Sequence, residues 1–471
     1  EKGDRPLEII TSRQWFIKTT EFRDALLGRG QELTWHPDFM RHRYENWVNG
    51  LSGDWCVSRQ RFFGVPFPLW YPLDASGQPD FRHPLVPKES RLPLDPSTDV
   101  PEGYTPEQRG LPGGFIADPD VMDTWATSSL TPQIAGGWLT DPDLFARVFP
   151  MDLRPQAHEI IRTWLFTTVL RAHLEERSLP WRHAAISGFV TDPDRKKMSK
   201  SKGNVVTPMG LLEEHGSDGV RYWAASARAG MDTIFEAAQM KVGRRLAIKL
   251  LNAARFALLQ AEPRGPITEP LDRGMLTALA VLVEESTGQL EDYDTARVLE
   301  RTETFFWSFC DDYLELVKAR RYGDFGSEAA ASANSAILVA LDGLLRLFAP
   351  YLPFVTEEVW SWWRPGSVHQ ASWPTASELL ASIDGADDAA LTVRMTTQDA
   401  LAEVRRVKSL LKKATKAVIT SAVLPARFAA LQPGARDFQA ATHIRTLVFG
   451  DVTEAVLQFA DEGAASGVTG A

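Results

Sequence analysis

Apolar and polar positions follow one pattern up to residue 190 and another beyond residue 205. Between residues 115 and 190, short apolar runs alternate with helix-like stretches. Glu159 to Glu175 repeats its apolar residues at helical spacing, and Ala184 to Thr191 is typical of a strand. This alternation predicts a parallel α/β sheet. Prolines and glycines crowd the stretch from Pro72 to Gly114, which predicts an excursion away from that sheet.

Long amphipathic helices are predicted beyond residue 205, from Pro208 to about Trp363. Two sets of apolar residues repeat at helical intervals. The first consists of Leu246, Leu250, Leu251, Ala254 and Leu258, and the second of Ile337, Ala340, Leu341, Leu344, Leu345 and Phe348. Each set covers one face of a helix, so the pattern predicts a helical bundle.

The last part of the chain is predicted to be a small mixed segment. A Ser-, Ala- and Asp-rich linker is expected near 373 to 390, followed by a helix from about Thr397. Strand-like runs are expected at 416 to 423 and at 446 to 459. The N-terminal stretch from Pro6 to Lys18 also alternates well enough to predict a strand.

Length and composition set the class of protein. With 471 residues, 44% of them hydrophobic, the chain is long enough for roughly three domains. No uninterrupted apolar run approaches 18 residues and no leader pattern is present, so we expect a cytoplasmic protein without a membrane span. The two cysteines, Cys56 and Cys310, are far apart and are expected to be core thiols, not zinc ligands.

The charge is uneven along a chain whose net charge is −10. Basic residues concentrate in three places, which are 195 to 202, 241 to 249 (Lys241, Arg244, Arg245, Lys249), and 405 to 416 (Arg405, Arg406, Lys408, Lys412, Lys413, Lys416). These clusters are either stripes that bind a phosphate backbone or ordinary exposed helix faces.

The densest cluster runs from Arg195 to Asn204 and places five cations within eight positions. Gly203 and the hydroxyls of Ser199 and Ser201 would let a loop approach a phosphate closely, while lysine ammonium groups neutralise its charge. The alternative is a solvated basic loop.

The string Lys-Met-Ser-Lys-Ser at 197 to 201, with Lys-Gly-Asn after it, resembles the signature loop of class I aminoacyl-tRNA synthetases. Five further stretches resemble the valine, isoleucine and leucine branch of that family, and they follow the family's order along the chain. They are Trp55 to Pro68, Asp120 to Ser129, Ala157 to Arg162, Cys310 to Lys318 and Pro353 to Trp360. The Asp-Val-Met-Asp-Thr-Trp of the second stretch resembles the valine members more than the isoleucine members.

This resemblance implies candidate site residues. Lys197 and Lys200 would be catalytic, and Lys200, Ser199 and Ser201 would contact ATP together with His158 and Glu159. His158 either reaches a phosphate or only caps the sheet. Glu159 stands where the family has aspartate, so it is either a ribose ligand or a plain N-terminal helix carboxylate. The apolar wall of an amino-acid pocket would come from Phe63, Val121 and Trp125, while Asp123 either holds the α-ammonium group or orders its loop.

The resemblance also implies a reaction. ATP with Mg²⁺ would activate valine to valyl-adenylate, and the acyl group would pass to tRNA(Val). The partners are thus valine, ATP and tRNA(Val), and a monomer without bound zinc or another protein-held metal is expected. The alternatives are an isoleucine-tRNA ligase and a non-catalytic tRNA-binding fragment.

The family's other signature, His-x-Gly-His, does not occur in the sequence. We therefore expect the chain to be the C-terminal portion of a longer synthetase. The predicted fold is α/β, with the second half of a Rossmann-like parallel sheet core, an all-α anticodon-binding bundle and a small C-terminal α+β segment. The expected boundaries are 1–20 for the end of an editing insertion, 21–205 for the core, 206–375 for the stem-contact and anticodon-binding helices, and 376–471 for the C-terminal segment.

Overall fold

The computed structural model describes residues 11–198, 203–259 and 262–460. They fall into two compact units, of which the first comprises Glu1–Phe189 with Ala229–Met231 and the second Val190–Arg228 with Asp232–Ala471. The first unit is a mixed α/β structure, and the second is mainly helical.

The first unit contains nine short strands and six helices among its described residues. The strands are β1 (Phe16–Ile17), β2 (Thr34–His36), β3 (Trp55–Cys56), β4 (Ser58–Arg59), β5 (Trp70–Pro72), β6 (Phe115–Ala117), β7 (Val121–Met122), β8 (Met151–Ala157) and β9 (Trp181–Ser187). The helices are α1 (Arg23–Glu32), α2 (Arg41–Asn49), α3 (Thr124–Ser128), α4 (Thr131–Ala135), α5 (Pro142–Val148) and α6 (Phe166–Glu176).

The central sheet has the order β2-β9-β8, and all three strands are parallel. The prediction of a parallel sheet is confirmed. On the central strand, Trp181, Ala184 and Ile186 are buried, as expected for a strand with both faces covered. The predicted strand at 184–191 is instead divided, since β9 ends at Ser187 and the following short strand belongs to the second unit.

The Pro- and Gly-rich excursion is part of the first unit and is closed at its base by an antiparallel pair of strands. β5 pairs with β6, with Trp70 opposite Ala117 and Pro72 opposite Phe115. The indole Nε1 of the buried Trp70 donates to the carbonyl oxygen of Pro96 at 2.9 Å, which ties the excursion to its base. The intervening residues contain only two 3-10 turns, Glu89–Arg91 and Pro106–Gln108, consistent with their turn-forming composition.

The second unit consists mostly of helices. They are α7 (Pro208–Ala225), α8 (Ala237–Leu259), α9 (Pro270–Glu291), α10 (Thr295–Ser308), α11 (Leu314–Leu316), α12 (Lys318–Arg321), α13 (Ser327–Phe348), α14 (Pro353–Ser361), α15 (Ala376–Ala381), α16 (Asp388–Leu410) and α17 (Ala435–Thr442). The strands are β10 (Val190–Thr191), β11 (Thr233–Ile234), β12 (Ile419–Pro425), β13 (Ile444–Gly450) and β14 (Val456–Phe459).

Helix α13 forms the centre of the helical core, and the face predicted for it from the sequence is fully buried. In the described part of the chain, α13 is also the one helix long and apolar enough to cross a membrane, and 78% of its most apolar window is buried inside the structure. Composition alone therefore does not exclude a span, contrary to the sequence expectation. Burial in the bundle accounts for the apolar character of this helix.

The C-terminal residues form a three-stranded sheet in the order β13-β12-β14, parallel on one side and antiparallel on the other. Ile419, Ala422 and Leu424 of β12 share a core with the helices. Helix α16 begins at Asp388, earlier than predicted, because the Asp387 carboxylate caps it by accepting from the Ala390 N–H at 2.9 Å.

Helices α9 and α16 pack closely through a glycine. At Gly274 an added Cβ would overlap the carbonyl group of Ala390, so the two backbones nearly touch. Close by, Arg273 Nε donates to Asp387 Oδ2 at 2.7 Å. No residue larger than glycine fits at position 274 without moving one of the helices.

Candidate functional site

Two stretches singled out in the sequence lie side by side in the first unit. β4, from the Trp55–Pro68 stretch, pairs antiparallel with β7, from the Asp120–Ser129 stretch. Outside the strands, Gln60 Nε2 donates to Asp120 Oδ2 at 3.0 Å. The pairing fixes the start of helix α3, where Asp123 and Trp125 are located.

Asp123 orders this junction. Its carboxylate is buried and caps α3 by accepting from the Trp125 N–H at 3.3 Å. Its Oδ2 also accepts from Arg59 Nη2 at 2.8 Å and from Trp55 Nε1 at 3.3 Å. Of the two roles predicted for Asp123, the structure therefore displays the loop-ordering one, and the guanidinium of Arg59 already balances its charge.

A cavity of about 580 Å³ opens beside this junction. Its aromatic walls are Trp47, Trp55, Trp125 and Phe166, and its polar lining includes Asp54, Arg59, Asp123, Arg162, Thr163 and Thr167. An apolar wall with a few convergent polar groups is the usual composition of a small-molecule site.

Asp54 was not predicted from the sequence. Its Oδ1 accepts from the N–H groups of Thr19 and Thr20 at 2.9 and 3.0 Å and from the Thr20 hydroxyl at 2.7 Å. The hydrogen bonds from Thr20 and Thr19 lower the pKa of this carboxyl, which keeps it ionised at neutral pH. Its sequence signal was weak, since Asp54 lies in a Gly-Asp turn that precedes a short strand.

The chain after β8 supplies the rest of the cavity and contains two other candidates. His158 and Glu159 directly follow the carboxyl end of β8, where ligands of parallel sheets usually bind. The His158 ring packs on Phe189 with ring centroids 4.4 Å apart, and its Nδ1 is 3.5 Å from Arg43 Nη1. A π-helical turn, Ile161–Leu165, then precedes α6 and brings Arg162 and Thr163 to the cavity.

The other two predicted pocket residues do not line this cavity. Val121 is buried against Gly64, where an added Cβ would lie 2.6 Å from Val121 Cγ2. Phe63 is 86% exposed and packs edge-on against Phe62, with ring centroids 5.0 Å apart. The structure thus brings together Asp123 and Trp125 of the predicted set, and leaves Val121 in the core and Phe63 on the surface.

The basic signature loop belongs to the second unit, and Ser199, Lys200 and Ser201 lie outside the described residues. Its flanks are held together by Asp192. The carboxylate of Asp192 accepts from the Lys196 N–H at 2.7 Å and from Asn204 Nδ2 at 2.8 Å, and the hydrogen bond from Asn204 lowers the pKa of Asp192. Lys197 is exposed and forms an antiparallel bridge with Thr191.

The basic cluster at 405 to 416 is not a uniform stripe. Lys408 is buried, and its ammonium group donates to the carbonyl oxygens of Thr415, Ala417 and Thr442 at 2.7, 3.1 and 3.0 Å. Arg405 pairs with Asp312 at 2.7 Å. The interpretation of the cluster as phosphate-binding is therefore wrong for Lys408, which has a structural role, and Arg405 is already paired.

Another cationic surface of the second unit is a groove of about 670 Å³. Arg255, Arg264 and Arg364 line it together with Trp362 and Trp363. The guanidinium of Arg364 lies 4.5 Å from the centroid of the Trp363 ring. Indoles next to guanidinium groups are the side chains on which unpaired bases stack.

Comparison with known proteins identifies both parts of the chain. Residues 8–236 match the model of class I tRNA synthetases (I, L, M and V), and residues 272–421 match the anticodon-binding domain of tRNA ligases. The chain contains a class I synthetase domain followed by an anticodon-binding domain. The cavity and the sheet therefore belong to the synthetase domain. The arginine- and tryptophan-lined groove lies outside that domain. Its lining residues from 335 to 364 belong to the anticodon-binding domain, and those from 255 to 264 precede it.

The curated relatives are bacterial valine–tRNA ligases. The chain is 59% identical over 469 residues to that of Thermobifida fusca, covering 97% of this chain and 53% of the relative. It is 58% identical to that of Salinispora tropica, covering 94% of this chain and 54% of the relative. The chain thus spans about half the length of the curated relatives it matches.

Solved structures support the synthetase fold. A LeuRS–tRNA–LeuAMS ternary complex from Agrobacterium radiobacter K84 matches with a TM-score of 0.56 at 21% identity, covering 70% of this chain and 43% of that one. A methionyl-tRNA synthetase from Mycobacterium tuberculosis, bound by methionyl-adenylate, matches with a TM-score of 0.55 at 20% identity, covering 74% and 62%. At these identities the likeness concerns the fold of the synthetase and anticodon-binding domains only.

Proposed function

We propose that this chain is part of a valine-tRNA ligase, which activates valine with ATP and transfers it to tRNA(Val). The observation on which this rests is the pairing of β4 with β7, which presents Asp123 and Trp125 to one cavity in a chain 58–59% identical to valine–tRNA ligases. An isoleucine enzyme is the runner-up, and substrate competition distinguishes the two.

The cavity is the proposed amino-acid site. The indole of Trp125 would contact the branched side chain, since its two side-chain torsions make it a rigid wall. Asp54 is proposed to supply negative charge near the α-ammonium group of valine and Arg162 positive charge near its carboxylate, while the Arg59–Asp123 ion pair holds the wall of the cavity in place. A hydrophobic wall discriminates weakly against an isostere with a hydroxyl; the known valine-versus-threonine factor for this class of enzyme is about 10².

The nucleotide is proposed to bind at the carboxyl end of β8, with Glu159 accepting from ribose hydroxyls and His158 contacting a phosphate. In the first step a valine carboxylate oxygen forms a bond to the α-phosphorus, and the bond from that phosphorus to pyrophosphate breaks. In the second step a terminal ribose hydroxyl of tRNA attacks the valyl carbonyl carbon and AMP leaves with the bonding electrons.

Lys197 and Lys200, with the hydroxyls of Ser199 and Ser201, are proposed to neutralise the charge that moves onto pyrophosphate. Mg²⁺ would arrive as part of the ATP complex, where it shields the phosphate charges. Among residues 11–198, 203–259 and 262–460 there is no group of three or more His, Cys, Asp or Glu side chains suited to a metal ion.

The groove lined by Arg255, Arg364 and Trp362 is the proposed contact for splayed tRNA bases.

Valine-dependent ATP–pyrophosphate exchange, measured on the gene product that contains this chain, tests the proposal. Valine should support exchange at far lower concentration than isoleucine. Lys200→Ala should lower the rate constant by about 10², roughly 3 kcal/mol, with valine affinity unchanged. Lys88→Ala, which removes an exposed lysine paired with Glu102, is the matched control and should leave the rate unchanged. Preference for isoleucine, or an unaffected Lys200→Ala, contradicts the assignment.

The amino-acid site has its own test. Trp125→Ala should raise the valine concentration needed for half-maximal exchange at least about tenfold, because an aromatic wall of the cavity is lost. Trp138→Ala removes an indole of the same unit that does not line the cavity, and it should leave valine affinity unchanged. Equal effects of the two variants would mean that Trp125 acts through folding and not through contact with valine.

A further inference from the structure

Arg394 is a buried cation at the base of a pocket in the second unit. Its side chain, on α16, is 9% exposed and lines a cavity of about 420 Å³ between α9, α10 and α16. Arg297 and Arg301 of α10 also line this cavity, as does Glu300. Neither the synthetase reaction nor the tryptophan-lined groove uses it.

The protein satisfies the guanidinium of Arg394 poorly. Its Nη2 donates to the Ser308 hydroxyl at 3.3 Å, and its Nε is buried with no acceptor. The centroid of the Phe305 ring is 5.5 Å from the guanidinium carbon of Arg394. Among the residues that the structure describes, no carboxylate lies within 4.0 Å of the guanidinium of Arg394.

Two carboxylates near this pocket, Asp312 and Glu285, are already engaged. Asp312 accepts from Arg405 at 2.7 Å and from Gln398 at 3.2 Å, and Glu285 accepts from Arg301 at 2.6 Å. Burial lowers the pKa of Arg394 to about 10, so the side chain is still a cation at neutral pH. The charge of Asp312 offsets only part of the cost of burying this cation, and an anion from solution would relieve more of it.

We propose that this pocket binds a phosphate group, supplied either by inorganic phosphate or by the backbone of an RNA. Arg297, Arg301 and Arg394 line a single cavity with Glu300, and Glu285 pairs with Arg301, so one positive charge is in excess. Guanidinium groups form paired hydrogen bonds with phosphate oxygens, and Arg394 lines the cavity with such a group. The pocket is open enough to admit a phosphate and too small for a folded domain.

Isothermal titration of the 471-residue chain with sodium phosphate, against sodium chloride at equal ionic strength, tests the pocket. Arg394→Met should weaken phosphate binding about tenfold or more, since it removes a charged donor. Arg445→Met removes the same charge from an exposed position on β13 and should bind phosphate as the wild type does. Absence of phosphate binding in the wild type, or equal binding by all three proteins, would overturn the proposal.

A second measurement covers the case in which Arg394→Met folds poorly. The double variant Arg297→Met/Arg301→Met alters only partly exposed rim positions and should also weaken phosphate binding, while Arg394→Lys should restore part of it. In the wild type, phosphate but not chloride should raise the midpoint of thermal unfolding, and Arg394→Met should abolish that shift. A shift that persists in Arg394→Met places the phosphate elsewhere and rejects the pocket.

The source of the phosphate is decided with an RNA arm. If the backbone of tRNA occupies the pocket, inorganic phosphate should compete with a tRNA(Val) transcript, and Arg394→Met should lower RNA affinity more than Arg445→Met does. If free phosphate is the ligand, the two variants should bind the transcript equally while only Arg394→Met loses inorganic phosphate. Failure of valine activation would affect neither arm, so the pocket and the proposed ligase activity fail independently.

Discussion

The second unit buries two arginines in opposite ways. Arg320, on α12, donates from Nη1 and Nη2 to the Asp272 carboxylate at 2.7 and 2.8 Å and from Nε to Asp437 at 3.0 Å. Asp272 also accepts from the Tyr313 and Ser332 hydroxyls at 2.7 and 2.6 Å. Arg394 has one long hydrogen bond to a serine and no carboxylate partner among the described residues.

The difference teaches that burial alone does not reveal what a charged side chain does. Although burial by itself would lower it, Asp272 and Asp437 raise the pKa of Arg320 above its ordinary value. Every donor of such a site is satisfied, so it joins helices and has nothing left for a ligand. Arg394, by contrast, has no carboxylate of the described residues within ion-pair distance and lines an open cavity, which is why we propose it as a site for a mobile anion.

The largest expected effect is on Arg320. Arg320→Met leaves Asp272 and Asp437 buried without a counter-charge and should lower the free energy of unfolding by about 3–5 kcal/mol. Urea denaturation followed by circular dichroism measures it, with Arg445→Met as the control of equal charge change. If Arg320→Met were as stable as Arg394→Met, the distinction between the two sites would disappear.

Lys408 provides an intermediate case, a buried cation held by neutral carbonyls. Lys408→Met removes the donor from three carbonyl oxygens and should cost about 1–3 kcal/mol of unfolding free energy. Lys412→Met, at an exposed position in the same basic cluster, is the control and should change stability by less than about 0.5 kcal/mol. If Lys408→Met were as stable as the wild type but bound tRNA more weakly, Lys408 would be a phosphate contact and not a structural residue.

The smallest expected effect is on the partly exposed pair Arg273–Asp387. Hydrogen bonds from Arg273 and from the Ala390 N–H lower the pKa of Asp387, so its contribution is present above its unfolded pKa of about 3.9 and is lost as pH falls through the lower folded value. Asp387→Asn keeps the helix cap but loses the ion pair, which should lower the free energy of unfolding by about 0.5–1 kcal/mol. The stability advantage of the wild type over Asp387→Asn should be full at pH 7 and disappear well below pH 4, and a constant difference would contradict it.

The helix faces and the parallel sheet could be predicted because they depend on local periodicity. The residues Ile337, Leu341 and Phe348 repeat along one helix, and any helix that buries this face must bury all of them. The beginning of α16 was missed because Asp387 and the alanines after it resemble a linker in composition, although aspartate is also a strong helix cap. Asp192 and Asn204 were not connected in advance, since their contact depends on how the loop between them closes.

The candidate site was less predictable, because its residues come together through tertiary contacts. Phe63 and Trp125 are both aromatic residues in recognisable motifs, yet one is on the surface and the other lines the cavity. Lys408 stands in a basic run, and only the carbonyls of distant residues such as Thr442 give it a structural role. Sequence patterns singled out the stretches, but they could not assign each side chain to one face.

The near contact of Gly274 with the Ala390 carbonyl sets an order of events during synthesis. These residues are 116 positions apart in the sequence, and α9 cannot complete its packing until α16 has left the ribosome. Contacts of such long sequence separation slow folding, and the part of α9 that packs on α16 stays exposed in the meantime. A nascent chain stalled before Asp388 should therefore be a strong client for chaperones that bind apolar helices, whereas one stalled after β12 should not.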